Sequence, residues 1–201
     1  MPPALILGST STYRAAALTQ LGLKFTQTSP NVVEEHIPGE SAETMALRLA
    51  KAKAINVARR NPGCVVIGAD QTASCNQRIL GKPGDLETAK ASLAHCSGFP
   101  AEFYSALVVC CLTASGELQC TEDVINTRIR FRSLTQMQID NYVAIEQPID
   151  TAGAFKVESL GIALFESVTA DDPTALVGLP LITLVTRLKD FAIDPLAGLV
   201  R

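Results

Sequence analysis

Apolar residues fall into short unbroken runs in some parts of the chain and into a helical period in others, and the two patterns alternate through the first half. Ala4 to Leu7 reads as a strand, Thr12 to Leu21 as a helix, and Leu23 to Thr28 as a second strand. Ser41 is placed to cap a helix that reaches about Asn61. Glu43 suits its first turn, Met45, Leu49, Ala52 and Val57 are apolar positions along it, and Pro62-Gly63 stops it. Cys64 to Ile67 is a further apolar run, expected to be a buried strand that emerges into a loop at Gly68-Ala69-Asp70-Gln71.

The second half begins after Gly81-Lys82-Pro83-Gly84 with a short helix from about Leu86 to His95. Phe103 to Leu112, the turn around Ser115-Gly116 and Leu118 to Phe131 predict a long β-hairpin. Thr135 to Val143 suits a helix, Ile162 to Phe165 a strand and Pro180 to Phe191 a last helix, while Ala152-Gly153-Ala154-Phe155 is too rich in small residues to assign. The alternation predicts an α/β fold with parallel crossovers. No repeat, low-complexity tract or compositional break divides the chain, so a single domain of two lobes is expected.

Composition narrows the function. With 47% apolar residues among 201, the chain can bury a sizeable core, and a formal charge of -3 supplies no global field for a nucleic-acid polymer or an anionic membrane. Any phosphate recognition must therefore be local. The first residues carry no basic stretch, and no apolar run approaches the roughly 20 residues that span a bilayer, so a cytoplasmic protein with no membrane partner is expected. The six cysteines form no CxxC pair and are expected to be reduced thiols, most of them buried; with only two histidines there is no zinc pattern. A hard, oxygen-loving cation remains open.

Several residues carry candidate chemistry. Asp70 follows a buried run at the end of which open α/β sheets place their active sites. Ser9-Thr10-Ser11-Thr12-Tyr13-Arg14 opens a helix after an apolar run, offering hydroxyls, backbone N–H groups and a guanidinium to an anion; taken alone, Ser9 to Ser11 is an ordinary polar helix cap. Glu34 lies in the polar connection Asn31 to Gly39, where a solvated carboxylate is the default, yet with Asp70 it would suit Mg²⁺ or Mn²⁺, whose remaining ligands come from substrate oxygens. Lys53 shares a helix with Lys51 and would ordinarily be a solvated cation. Lys82, between Gly81 and Pro83, can present a point charge to phosphate.

Taken with these residues, Gly81-Lys82-Pro83, Phe131-Arg132-Ser133-Leu134, Ala152-Gly153-Ala154-Phe155-Lys156 and Val177-Gly178-Leu179-Pro180 make the chain resemble the Maf family of nucleoside triphosphate pyrophosphatases over nearly its whole length, and within it the 7-methyl-GTP branch. The resemblance implies a Maf-type, inosine triphosphatase-like fold with a mixed central sheet and two lobes around a cleft. It also implies hydrolysis of a nucleoside triphosphate to monophosphate and pyrophosphate with a divalent cation, and it leaves a homodimer open. Asp70 matches the catalytic aspartate, as base or metal ligand. Ser9, Ser11, Arg14, Lys53 and Lys82 match phosphate-binding positions, and Glu34 joins Asp70 at the metal.

Tyr13, Gln71 and Glu158 fall where substrate branches differ, and Gln71 with Glu158 resembles the methylguanine branch. The chain departs from the family pattern at Val33, usually Asp, at Thr12, usually Pro, and at Ala106, usually Gly; Tyr13 stands for a tryptophan. The physics suits that branch, because methylation makes guanine cationic: Tyr13 can offer cation-π attraction and Glu158 can accept from the Watson–Crick donors. Alternatives are a dTTP, UTP or modified-pyrimidine pyrophosphatase, and a nucleotide-binding regulator of cell division without turnover.

Overall fold

The computed structural model describes residues 3–197. Twelve principal elements follow in the order β1 (Leu5–Leu7), α1 (Thr12–Thr19), β2 (Phe25–Gln27), α2 (Ala42–Arg60), β3 (Val65–Cys75), β4 (Arg78–Leu80), α3 (Leu86–Cys96), β5 (Pro100–Leu112), β6 (Leu118–Phe131), α4 (Gln136–Glu146), β7 (Phe165–Ala170) and α5 (Leu181–Lys189). Short 3₁₀ turns at Ala152–Ala154, Leu160–Leu164 and Pro173–Val177 join the later ones. The helix starts are chemically marked: Ser41 Oγ accepts from Thr44 N, Asp85 from Thr88 N, and Thr135 forms a reciprocal capping box with Gln138.

The seven strands form one mixed sheet in the order β2-β1-β3-β5-β6-β7, with β4 also pairing β3. β1, β2 and β3 run parallel, joined through α1 and α2 by the parallel crossovers expected for the first half, whereas the remaining pairs are antiparallel. The course of β3 corrects the sequence expectation. It does not release Asp70 into a loop but runs eleven residues, because β5 pairs with it along its whole length from Val65↔Cys111 to Cys75↔Ala101. The segment Ile162 to Phe165 is also reassigned, as a 3₁₀ turn with the strand starting only at Phe165.

The opening in the sheet lies on the other edge of β3. There β1 pairs with Val65 to Ile67 and β4 with Ala73 to Cys75, so residues 68–72 have no strand beside them on that edge. Both flanking strands end at the gap, since β1 is parallel and β4 antiparallel to β3. The connections after Leu7 and Leu80 therefore enter the gap from opposite sides and bring Ser9 to Arg14 and Gly81-Lys82 with them.

Three apolar clusters surround this frame. α2 packs on one face through Ala46, Ala50, Ala54 and Val57 against Val66, Ala106 and Val108. On the opposite face, Leu18 of α1 and Leu184 and Leu188 of α5 share a core with Val65, Ile67 and Ala69. The odd and even residues of β3 thus serve different layers, as strand geometry requires. Farther along the sheet, α3 and α4 cover Ala73, Cys75, Phe103 and Ile129, and Phe103, Phe131, Phe155 and Phe165 meet edge to face at centroid distances of 4.9 to 6.1 Å.

Cys110 and Cys120 are joined by a disulfide across the hairpin, correcting the expectation of six reduced thiols; Cys64, Cys75, Cys96 and Cys111 are free. The reason is register, which places Cys110 opposite Cys120 with their Cα atoms 4.2 Å apart. No helix among the described residues is long and apolar enough to cross a membrane.

Candidate active site

Gly68 sets the distance between α2 and β3. A Cβ there would stand 2.5 Å from Ala50 O and 2.6 Å from Ala54 Cβ, so only glycine lets the helix lie this close. One turn away on the same buried helix face is Lys53, and two residues along the same strand face is Asp70. Their side chains meet at 2.6 Å, and both residues are buried. Lys53 is thus not the solvated cation that its neighbour is; Lys51 points outward to Glu122.

The same ammonium reaches Glu34 at 2.6 Å. Glu34 sits on the connection between β2 and α2, which α2 tethers: Arg48 forms a two-pronged pair with Glu40 and donates to Glu35 O, while Arg60 donates to Ser29 O. One buried lysine therefore gathers two carboxylates from segments that are distant in sequence. Burial raises the Asp70 pKa, against the charge and hydrogen bond of Lys53 and the charge of Arg14. Burial also acts to raise Glu34, but its hydrogen bond to Lys53 and the charges of Lys53, Lys82 and Arg14 outweigh it and hold that carboxyl below its ordinary value.

Across the gap, Ser11 caps α1 by accepting from Arg14 N, and Ser9 Oγ accepts from Ser11 N and, at 3.4 Å, from Arg14 Nη1. Arg14 Nε donates to Gly178 O at 2.9 Å. That carbonyl is available because Gly178 has φ of 93°, a left-handed turn that ends the 3₁₀ segment Pro173–Val177. Burial pushes the Arg14 guanidinium down, and the charges of Asp70 and Glu34 oppose that shift. Its fork thus does return to the start of its own helix.

These groups line a cavity of about 550 Å³ that also takes in Lys82, Gln71 and Asp150. A smaller cavity of about 160 Å³ shares Tyr13, Arg14, Gln71, Lys82 and Asp150 with it and adds Phe155, Val157, Glu158 and Val177. The structure thus brings together every candidate: Ser9, Ser11, Arg14, Glu34, Lys53, Asp70 and Lys82 around the larger space, and Glu158 with Tyr13 and Gln71 around the smaller. Burial raises the Tyr13 phenol, and Asp150, Glu158 and Glu146 add to the shift.

The site also contains groups that sequence reading passed over. Asp150 belongs to both cavities but lies in a connection with no pattern of its own. Buried Asp172 caps two elements at once: one oxygen accepts from Thr174 N and the other from Ile182 N and Thr183 N at the start of α5, fixing the loop whose Gly178 carbonyl holds Arg14. An aspartate before Pro173 signals a helix start, which is the only trace it leaves in sequence. Ala106 lies directly opposite Asp70 in the ladder and is fully buried.

Among the described residues no three His, Cys, Asp or Glu side chains cluster to cage a metal. The donor set is two carboxylates facing a space large enough for a polyphosphate, which fits Mg²⁺ or Mn²⁺ and not a closed structural zinc site.

A mixed sheet opened at one edge of β3, with the acids Asp70 and Glu34 and the cations Lys53, Arg14 and Lys82 around the opening, defines an α/β protein with a mixed-charge cleft, and sequence comparison gives the family. Residues 4–191 match the model of Maf-like proteins, and the chain belongs to the Maf family. It is 49% identical over 198 residues to a 7-methyl-GTP pyrophosphatase of Bordetella pertussis, covering 98% of this chain and 97% of the relative. It is 45% identical to the 7-methyl-GTP pyrophosphatase of Saccharophagus degradans, with 96% of each covered. A solved HAM1 protein from Coxiella burnetii aligns over 94% of this chain and 99% of its own at 15% identity, with a TM-score of 0.45.

Proposed function

We propose that the protein hydrolyses 7-methyl-GTP to 7-methyl-GMP and pyrophosphate. The observation that carries the reading is that two cavities share a wall: Tyr13, Arg14, Gln71 and Lys82 line both the smaller space, beside Glu158, and the larger one, beside Asp70 and Lys53. Relatives of about half-identical sequence over nearly the full chain bear the name of this activity.

The base enters the smaller cavity, where the Tyr13 ring faces its positive charge and the Glu158 carboxylate accepts from its Watson–Crick N–H donors. The triphosphate then extends into the larger cavity along the N–H groups of the first turn of α1, Arg14 and Lys82. Water attacks the α-phosphorus and Asp70 takes its proton. The α–β bridging oxygen departs with pyrophosphate, whose charge Arg14 and Lys82 stabilise. Lys53 holds Asp70 and Glu34 in place, and these two carboxylates would bind the divalent cation. When bound, that ion would supply charge neutralisation at the phosphate oxygens and would lower the pKa of water.

The discriminating test is Glu158→Gln. An amide pairs less well with a cationic purine, so kcat/KM for 7-methyl-GTP is expected to fall about tenfold while that for UTP changes less than threefold, because a hydrogen bond to a charged group contributes about 1.5–3 kcal/mol. An unchanged substrate ranking removes Glu158 from base recognition.

A further inference from the structure

Gln71 follows Asp70 on β3 and points to the opposite face of the sheet, toward the 3₁₀ segment Pro173–Val177. Its amide nitrogen donates to Ser105 Oγ at 2.9 Å, to Ala175 O at 3.0 Å and to Leu176 O at 3.1 Å. Ser105 lies directly opposite Gln71 in the ladder, is fully buried, and donates its own proton to Ala175 O at 2.6 Å. With that proton committed, the serine oxygen can only accept from Gln71. A flipped amide would set its oxygen against two carbonyls and this oxygen with no proton between them, so the orientation is forced by chemistry.

Gln71 lines both cavities, and its Oε1 has no hydrogen-bond partner among the described residues, whereas Ser105 lines neither cavity. We propose that Ser105 is a specificity-positioning residue: it holds Gln71 so that the amide offers the nucleotide base an acceptor and never a donor. The inference rests on the 7-methyl-GTP reading and adds to it. The 2-amino group of guanine carries two hydrogens; Glu158 takes one, and Gln71 Oε1 takes the other. A base with an acceptor at that edge would meet a lone pair instead, and a buried unmatched acceptor is what gives polar sites their discrimination.

The test compares kcat/KM for 7-methyl-GTP with that for 7-methyl-ITP, which lacks the 2-amino group, in wild type, Gln71→Met, Ser105→Ala and Ser105→Thr. Wild type is expected to prefer 7-methyl-GTP by tenfold or more. Gln71→Met should cut that ratio several-fold, and Ser105→Ala should cut it about threefold, through KM with kcat largely kept. Ser105→Thr retains the hydroxyl and should restore the ratio. A merely structural serine would instead lower turnover of both nucleotides by one common factor, with Tm, and that result overturns the proposal. If Ser105→Ala does not fold, Gln71→Met and Ser105→Thr decide together: an unchanged ratio in Gln71→Met overturns the proposal, and a reduced ratio there with a wild-type ratio in Ser105→Thr supports it. A wild type that prefers 7-methyl-GTP to UTP but shows no coupling to Gln71 contradicts this inference alone. A wild type that hydrolyses only pyrimidine nucleotides overturns the functional reading, and this inference with it.

Discussion

At the scale of residues, the site depends on one buried cation shared by two acids. In the proposed mechanism Asp70→Asn removes the base and an anionic metal ligand while leaving Lys53 paired with Glu34, so pyrophosphate release is expected to fall about 10²- to 10⁴-fold with Tm within a few degrees of wild type. Near-normal turnover would take Asp70 out of the chemistry. Lys53→Met has the opposite profile. It strands Asp70 in a buried setting, and since the lysine charge lowers the Asp70 pKa, its loss raises that pKa further above the ordinary 3.8. A carboxyl whose folded pKa exceeds its unfolded value loses stability as pH rises from the unfolded to the folded value. The variant is therefore expected to lose about 3 kcal/mol near neutrality and less near pH 4, a difference that urea melts at the two pH values would measure. An equal loss at both would deny Lys53 that role.

Among elements, the approach of α2 to β3 decides whether these residues meet. Gly68→Ala should push the helix off the strand at Ala50 and Ala54, costing about 1–3 kcal/mol and at least tenfold in kcat/KM as Lys53 and Asp70 separate. Unchanged Tm and activity would show that the contact is soft. Most helices and the hairpin were legible because they carry caps, turn glycines and the right period: Ser41 caps where expected, the helix expected from Thr135 starts there with Thr135 as its cap, and β5 and β6 flank Ser115-Gly116. The length of β3 was not, since Gly68, Asp70, Gln71 and Thr72 interrupt its apolar run and only pairing with β5 continues the strand. The disulfide was missed for the same reason, although Cys110 and Cys120 stand equidistant from Ser115 and a register taken from that turn pairs them.

For the whole molecule, the cleft follows from a sheet that is continuous on one edge of β3 and broken on the other. The break receives the ends of β1 and β4, which bring Ser9 to Arg14 and Gly81-Lys82 to the cleft, while alternate residues of β3 face opposite layers and so put Asp70 toward α2 and Gln71 toward Pro173–Val177. Motif resemblance identified the polar groups of this cleft in advance, whereas Ser105, Asp150 and Asp172 act through register and loop contacts that no local pattern announces. The most direct measurement is pyrophosphate release from 7-methyl-GTP, GTP, dTTP and UTP with Mg²⁺, with Mn²⁺ and after exhaustive chelation. Highest kcat/KM for 7-methyl-GTP, with activity lost in chelator and regained on adding either ion, is the predicted result. Preference for dTTP or UTP, nucleotide binding without pyrophosphate release, or full activity without metal would contradict it.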